Sequence, residues 1–250
     1  MERSTTVSVS RYARHKFQEY LYTSTFDTIK TAGHPVFQLN TQHRAIDGQF
    51  DPVYKIFYKD VKPILSSESR HPSNHPGAQR VEAAFVADCA GLQASLADHI
   101  IPMFINVPRS DCKQIRTSRR NPEQAEAAFR VVEKLVSCGI KQSDIMVIGA
   151  YRAELIKLGD KIPEEVLVAT IDIAQGQERS YVVLVFSTTE KTGLGFTGSP
   201  HRLCVALSRQ KAFLALVGDI DTVRNAIYAG TCLNFYLKKI HEYLMAHKRV

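Results

Sequence analysis

Short, almost continuously apolar runs alternate along this chain with longer stretches in which apolar residues recur every three or four positions. The runs are Val36–Asn40, Met103–Val107, Ile145–Gly149, Val166–Thr170, Tyr181–Phe186 and Phe213–Gly218. A run without polar alternation reads as a strand covered on both faces, the situation inside a parallel sheet. The clearest helix opens at Asn121-Pro122-Glu123, with an N-cap residue, Pro at the first helical position and an acid in the first turn. It runs to Cys138-Gly139, and Ala125, Ala128, Phe129, Val132, Leu135 and Val136 keep helical spacing. Residues 66–77 are polar and contain proline, predicting a loop, and an Ala-rich helix should follow to about His99. A last helix, about 232–247, places Leu233, Leu237, Ile240 and Leu244 on one face, which should pack on the sheet. Strands alternating with helices predict an α/β fold around a parallel sheet.

Composition narrows the class. The 250 residues are 44% hydrophobic and 23% charged, ordinary for a folded protein. The apolar stretch at Tyr181–Phe186 is far shorter than the ~18 residues a membrane span needs, and the first residues hold no secretory apolar core. Five cysteines, odd in number and without a CxxC pair, argue against a disulfide framework or a zinc site. The expectation is an intracellular protein, of nucleus or cytoplasm, with no metal site and no membrane partner. The net charge of +7 is unevenly spread: residues 1–16, 109–120 and 238–250 carry +3, +4 and +3, and the rest of the chain is net negative. Such clusters fit nucleic-acid binding and equally fit solvated ends and a solvated loop.

Gly193-Leu-Gly195-Phe-Thr-Gly198 has the GxGxxG spacing of a dinucleotide loop. Ser187–Thr192 separate it from the preceding strand, however, and Pro200 follows it, so the reading fails. The chain contains no GxxxxGK[ST] phosphate loop.

Four segments in a fixed order carry more information. Leu39-Asn-Thr-Gln42-His-Arg44 follows one strand, and Ile148-Gly-Ala-Tyr151-Arg152-Ala-Glu154 ends another. Thr170-Ile-Asp172-Ile-Ala-Gln175-Gly176-Gln-Glu178 precedes the run at 181–186. His201-Arg202-Leu-Cys-Val-Ala-Leu-Ser208-Arg209-Gln-Lys211 precedes the last run. This order resembles the C-terminal motor domain of superfamily 1 helicases, in the group of the nonsense-mediated-decay helicase and senataxin. The resemblance covers about residues 24–230.

It implies a RecA-like, P-loop-NTPase-type domain of three α/β/α layers without its own Walker A loop. A basic extension or helix would precede it over 1–23, the loop 66–77 and the helix to about 99 would be peripheral, and an amphipathic helix would follow over 231–250. In such motors ATP lies between two RecA-like domains, and positive charge reaches the γ-phosphate from the second. The resemblance gives that role to Arg44 and Arg209, with fixed charge and a bidentate fork. Gln42 would sit beside the nucleotide, and Glu178 would couple nucleotide state to strand grip. Thr170 and Gln175 would border the nucleic-acid channel, where Tyr151 and Arg152 would stack on or neutralise the strand.

The implied cofactors are ATP and Mg2+ in a complete two-domain motor, with neither held stably by this chain alone. The implied partners are single-stranded RNA or DNA and a first RecA-like domain, in cis or in trans. Several supporting residues depart from the family pattern: His43 for Tyr, Ala45 for Met, Ala150 for Pro, Glu154 for Gln, Ala174 for Phe, His201 for Arg and Cys204 for Asn. A non-enzymatic nucleic-acid- or partner-binding module derived from a helicase is the alternative.

Overall fold

The computed structural model describes residues 25–37, 39–58, 65–89, 91–96, 98–223 and 232–250. The basic stretch 1–16 lies outside them. Two compact units emerge, residues 1–40 and 41–250. In the first, a short helix α1 (Thr25–Thr31) is described. The expected strand Val36–Asn40 does not form: residues 34–37 have no regular structure, and Val36, Phe37 and Leu39 are exposed. An apolar run needs a neighbouring strand as well as a pattern.

The second unit is built on five parallel strands: β3 (Met103–Asn106), β6 (Ile145–Gly149), β7 (Leu167–Thr170), β8 (Arg179–Val185) and β9 (Gln210–Gly218), in the order β3-β9-β8-β6-β7. Two shorter pairings lie outside it: β1 (Thr41–Gln42) with β2 (Leu65–Ser66), and β4 (Lys113–Ile115) with β5 (Ser118–Arg120). Period-two alternation divides the central strands between two cores. Ile145, Val147, Tyr181, Val183, Val185, Phe213, Ala215 and Val217 face one layer. That layer holds α3 (Pro76–Asp88), α4 (Pro122–Ser137) and Leu158 of α5 (Arg152–Gly159). Met146, Ile148, Val182, Leu184, Leu214 and Leu216 face the other, with α2 (Asp51–Phe57), α6 (Ile171–Ala174), α7 (Pro200–Ala206) and α8 (Cys232–Ala246). This is a three-layer, RecA-like α/β domain.

Asn121 caps α4 as its sequence predicts, its side chain accepting the N–H of Gln124 at 3.1 Å. In α8, Leu237, Ile240 and Leu244 are buried in the second core, as expected; the side chain of Leu233 lies outside the description. Three expectations change. The Ala-rich helix stops at Asp88, and Gly91 beyond it adopts φ +96, a turn conformation that ends the run well before His99. The loop 66–77 contains two 3-10 turns, Glu68–Arg70 and Pro72–Asn74. Residues 109–120, read as a basic loop, fold into the antiparallel β4–β5 hairpin.

The basic C-terminal stretch is also not uniformly solvated. Arg249 is 1% exposed and pairs with Glu82 through both terminal nitrogens, Nη1 at 2.8 Å and Nη2 at 2.6 Å. It also donates to the carbonyls of Gln93 and Ile101. A charge is tolerated at that depth because its donors meet acceptors.

Candidate functional site

The expected site residues separate onto opposite edges of the sheet. At the edge where β8 and β9 begin, the chain leaves β1 through a tight turn that Gln42 organises. Its Oε1 accepts the N–H groups of Arg44 (3.1 Å) and Ala45 (2.9 Å), and its Nε2 donates to the Ala45 carbonyl (2.7 Å). Ile46 N–H then donates to the Lys211 carbonyl at 2.8 Å, fastening the turn to the first residues of β9. Arg44 is thereby aimed across the edge. Its Nε lies 2.8 Å from Glu178 Oε2, and its Nη1 donates to the Ser208 carbonyl at 2.9 Å.

Glu178 reaches in two directions, since its Oε1 lies 2.8 Å from Lys211 Nζ. Hydrogen bonds from Lys211 and Arg44 hold its carboxyl at about 2, well below the ordinary value of 4.5. Arg209 donates from Nε to the Val205 carbonyl (2.9 Å) and from Nη2 to Ser208 Oγ (2.8 Å). Burial lowers its pKa, and the neighbouring Arg44 charge adds to the effect. Arg70 donates to the Arg44 carbonyl at 3.4 Å.

These groups line a cleft of about 610 Å3, with Phe50, Val53 and Tyr58 as its apolar wall. The cleft is lined by four cations, Arg44, Arg70, Arg209 and Lys211, and by one carboxylate, Glu178. That donor set suits the oxygens of a polyphosphate. It does not suit a metal ion, and among the described residues no group of three His, Cys, Asp or Glu side chains could hold one. Arg70 and Lys211 were not singled out from sequence. Lys211 lies two residues past Arg209 and could have been found by that spacing. Arg70 stands alone in a polar segment and gave no signal.

Tyr151, Arg152, Thr170 and Gln175 do not line this cleft. Tyr151 follows β6 and Thr170 ends the adjacent β7, with Gly149 in register with Thr170, so both lie at the opposite, C-terminal edge. Tyr151 is 3% exposed, and its hydroxyl accepts the N–H of Phe196 at 3.1 Å. Burial raises its pKa. Its ring is therefore engaged in packing. Thr170 caps α6, its Oγ1 accepting the N–H of Ile173 at 3.3 Å. Arg152 and Gln175 are exposed.

Beside Tyr151, Glu154 is fully buried. Its Oε2 accepts Ser187 Oγ (2.8 Å) and the N–H of Asn121, while its Oε1 has no hydrogen-bond partner. Burial raises its pKa, although those two hydrogen bonds oppose the rise.

Comparison with known proteins supplies the lineage. A domain family described as "AAA domain" matches residues 21–221. The Regulator of nonsense transcripts 1 of Caenorhabditis elegans is 30% identical over 134 residues, covering 49% of this chain and 12% of that protein. DNA-binding protein SMUBP-2 of Rattus norvegicus is 29% identical over 124 residues, 48% of this chain and 12% of its own length. ATP-dependent helicase NAM7 of Saccharomyces cerevisiae is 30% identical over 149 residues, 54% of this chain and 15% of its own. The chain thus spans a small fraction of the relatives it matches. It belongs to the AAA domain family, in its superfamily 1 helicase group.

Proposed function

We propose, with that membership as premise, that residues 24–230 are the second RecA-like motor domain of an ATP-dependent RNA or DNA helicase. Residues 231–250 would complete its core, and 1–23 would be an extension. The observation that carries this reading is the cleft lined by Arg44, Arg70, Arg209 and Lys211, with Glu178 as its single carboxylate, paired to Arg44 and Lys211. A nucleoside triphosphate seated on a partner RecA-like domain, in cis or in trans, would present its phosphates to that cleft. Arg44 and Arg209 would neutralise charge developing on the γ-phosphate. Gln42 acts on Arg44 by folding the turn that aims it. Glu178 holds Arg44 and Lys211 until the phosphates replace it, linking nucleotide state to the segment that leads back to Thr170.

Mg2+ would come with the nucleotide and be held by the partner domain, where it screens phosphate charge. Single-stranded nucleic acid would lie along the C-terminal edge, contacted by Thr170, Gln175 and Arg152, with Tyr151 supporting the edge from beneath.

The 250-residue chain contains no phosphate loop, so on this reading it hydrolyses no ATP by itself. The test is a fusion of this chain behind the first motor domain of a relative. Nucleic-acid-stimulated ATP turnover that depends on Arg44 and Arg209 is expected. Turnover by the 250-residue chain alone, lost in Arg44→Ala, would refute the reading.

A further inference from the structure

The segment that carries Arg44 continues past its turn into α2. Phe50 and Tyr58, which flank that helix, and Val53 within it form the apolar wall of the cleft. The residues just before β3 hold this segment from behind. Ile100 N–H donates to the Asp47 carbonyl at 3.0 Å, and Gln49 Nε2 donates to the Ile100 carbonyl at 3.3 Å. Gln210, at the start of β9, donates to the Gln49 carbonyl at 3.0 Å. Where His99 and Ile100 sit therefore decides where the backbone between Arg44 and the cleft wall sits.

Asp51, the first residue of α2, gathers three donors onto one oxygen. Its Oδ2 lies 2.8 Å from Lys55 Nζ, 3.0 Å from His99 Nε2 and 3.3 Å from the Tyr243 hydroxyl. These donors come from α2 itself, from the segment before β3 and from α8, so one carboxylate joins parts of the chain 48 and 192 residues away. Lys55 Nζ also stands 5.0 Å from the Tyr243 ring centre, and the His247 ring lies 4.3 Å from that of Tyr243. Burial works to raise the Asp51 pKa, but hydrogen bonds from His99 and Lys55 outweigh it and hold the carboxyl at about 2. Burial and the Asp51 charge raise the pKa of Tyr243, which stays a neutral donor. The hydrogen bond to Asp51 raises the His99 pKa above 6.5 against the effect of burial, and Asp47 adds a weaker attraction. Of Asp51, Tyr243 and His99, only His99 changes charge near neutral pH.

Because folding raises the His99 pKa, its contribution is complete below pH 6.5 and is lost as pH rises through the raised value. Above that value a neutral ring still donates to Asp51, but the Coulomb attraction between imidazolium and carboxylate is gone. We propose that His99 and Asp51 are positioning residues of the nucleotide cleft: protonated His99 fixes α2 and the Arg44 segment in their aimed arrangement, and loss of its proton loosens both. The proposal rests on the reading above for the purpose of the cleft and adds a pH-sensitive control to it.

The test is NMR of the full 250-residue chain across pH, following each histidine ring and the Arg44 Nε–H signal, which reports the bond to Glu178. The His99 midpoint should lie above 6.5, and the Arg44 signal should shift with that midpoint. His247 is read separately in the same spectra. In His99→Gln, which keeps an N–H donor for Asp51 but no titrating proton, the Arg44 shift should vanish. Asp51→Asn should lower the His99 midpoint and shrink the Arg44 response. A His99 midpoint at or below 6.5, or an Arg44 signal indifferent to it, overturns the proposal. So does an Arg44 response of full amplitude in Asp51→Asn, because the imidazolium field then acts on Arg44 directly. In the fused two-domain protein, turnover of wild type relative to His99→Gln should fall from about three-fold below pH 6.5 to parity above the His99 midpoint. Turnover that needs Arg44 yet follows the same pH profile in both proteins overturns the positioning role and leaves the helicase reading standing. Coupled His99 and Arg44 signals without any turnover in the fused protein do the reverse.

Discussion

Glu178 and Glu154 are the same residue type at opposite edges of one sheet, and their surroundings push them in opposite directions. Glu178 stands 40% exposed between Arg44 and Lys211, and its carboxyl is held at about 2. Glu154 is fully buried, keeps one oxygen without a partner, and is raised by that burial. The first edge is an open, positively charged cleft whose charged groups pair with one another within reach of solvent. The second is a packed polar layer in which Asn121, Ser187 and Tyr151 are already committed. Function at the first edge should therefore be separable from stability, and at the second it should not.

The largest effect expected of this contrast is at Arg209. In the fused two-domain protein Arg209→Ala should reduce ATP turnover ~10³-fold while the melting temperature moves only slightly. Turnover that stays near wild type would remove its finger role. Next in size is Gly195→Ala at the other edge. Its Cβ would strike the Tyr151 hydroxyl and Arg119 Nη1, at 1.9 and 2.8 Å, in a backbone conformation with φ +51. A loss of roughly 2–4 kcal/mol is expected, read by thermal or denaturant unfolding. Unchanged unfolding would mean that this edge is soft.

Glu154→Gln should do the reverse and stabilise. Folding raises the pKa of this acid above its ordinary 4.5. Its contribution is therefore most favourable at low pH and is lost as pH rises through the window between that value and the raised one. Replacing the acid should raise the melting temperature at neutral pH by roughly 2–4 °C, equivalent to ~1 kcal/mol. That gain should shrink toward pH 4.5; a gain that is flat with pH would locate its origin elsewhere.

The smallest effect is Glu178→Gln. The folded carboxyl is depressed, so its contribution is present above pH 4.5 and disappears as pH falls toward about 2. Solvent screening at this exposed pair keeps the difference small. The informative outcome is its sign against pH, opposite to that of Glu154→Gln.

Much of the fold was legible along the chain. The strand at 145–149 formed with the bounds its apolar run predicts, and Asn121-Pro122-Glu123 began a helix because capping is settled within one turn. Failures occurred where a partner decides the outcome. The Val36–Asn40 run found no neighbour, and the 109–120 hairpin was hidden by charges that carry no period-two pattern. For the site, motif order selected Gln42, Arg44, Glu178 and Arg209, all of which line one cleft. Arg70 was missed because it owes its place to contacts that lie far away in sequence.

Sequence alone, then, determined the five strands of the central sheet, the capped helix at Asn121, and the family to which the ordered motifs belong. Those properties depend on periodicity and capping over a few residues. Only the tertiary structure decided that the motif residues fall on two opposite edges of one sheet. Arg44 meets Glu178 across 134 positions and Ser208 across 164, separations closed by the β3-β9-β8-β6-β7 strand order. The same closure fixes which charges remain in water and which are buried, and so gives the two glutamates opposite shifts.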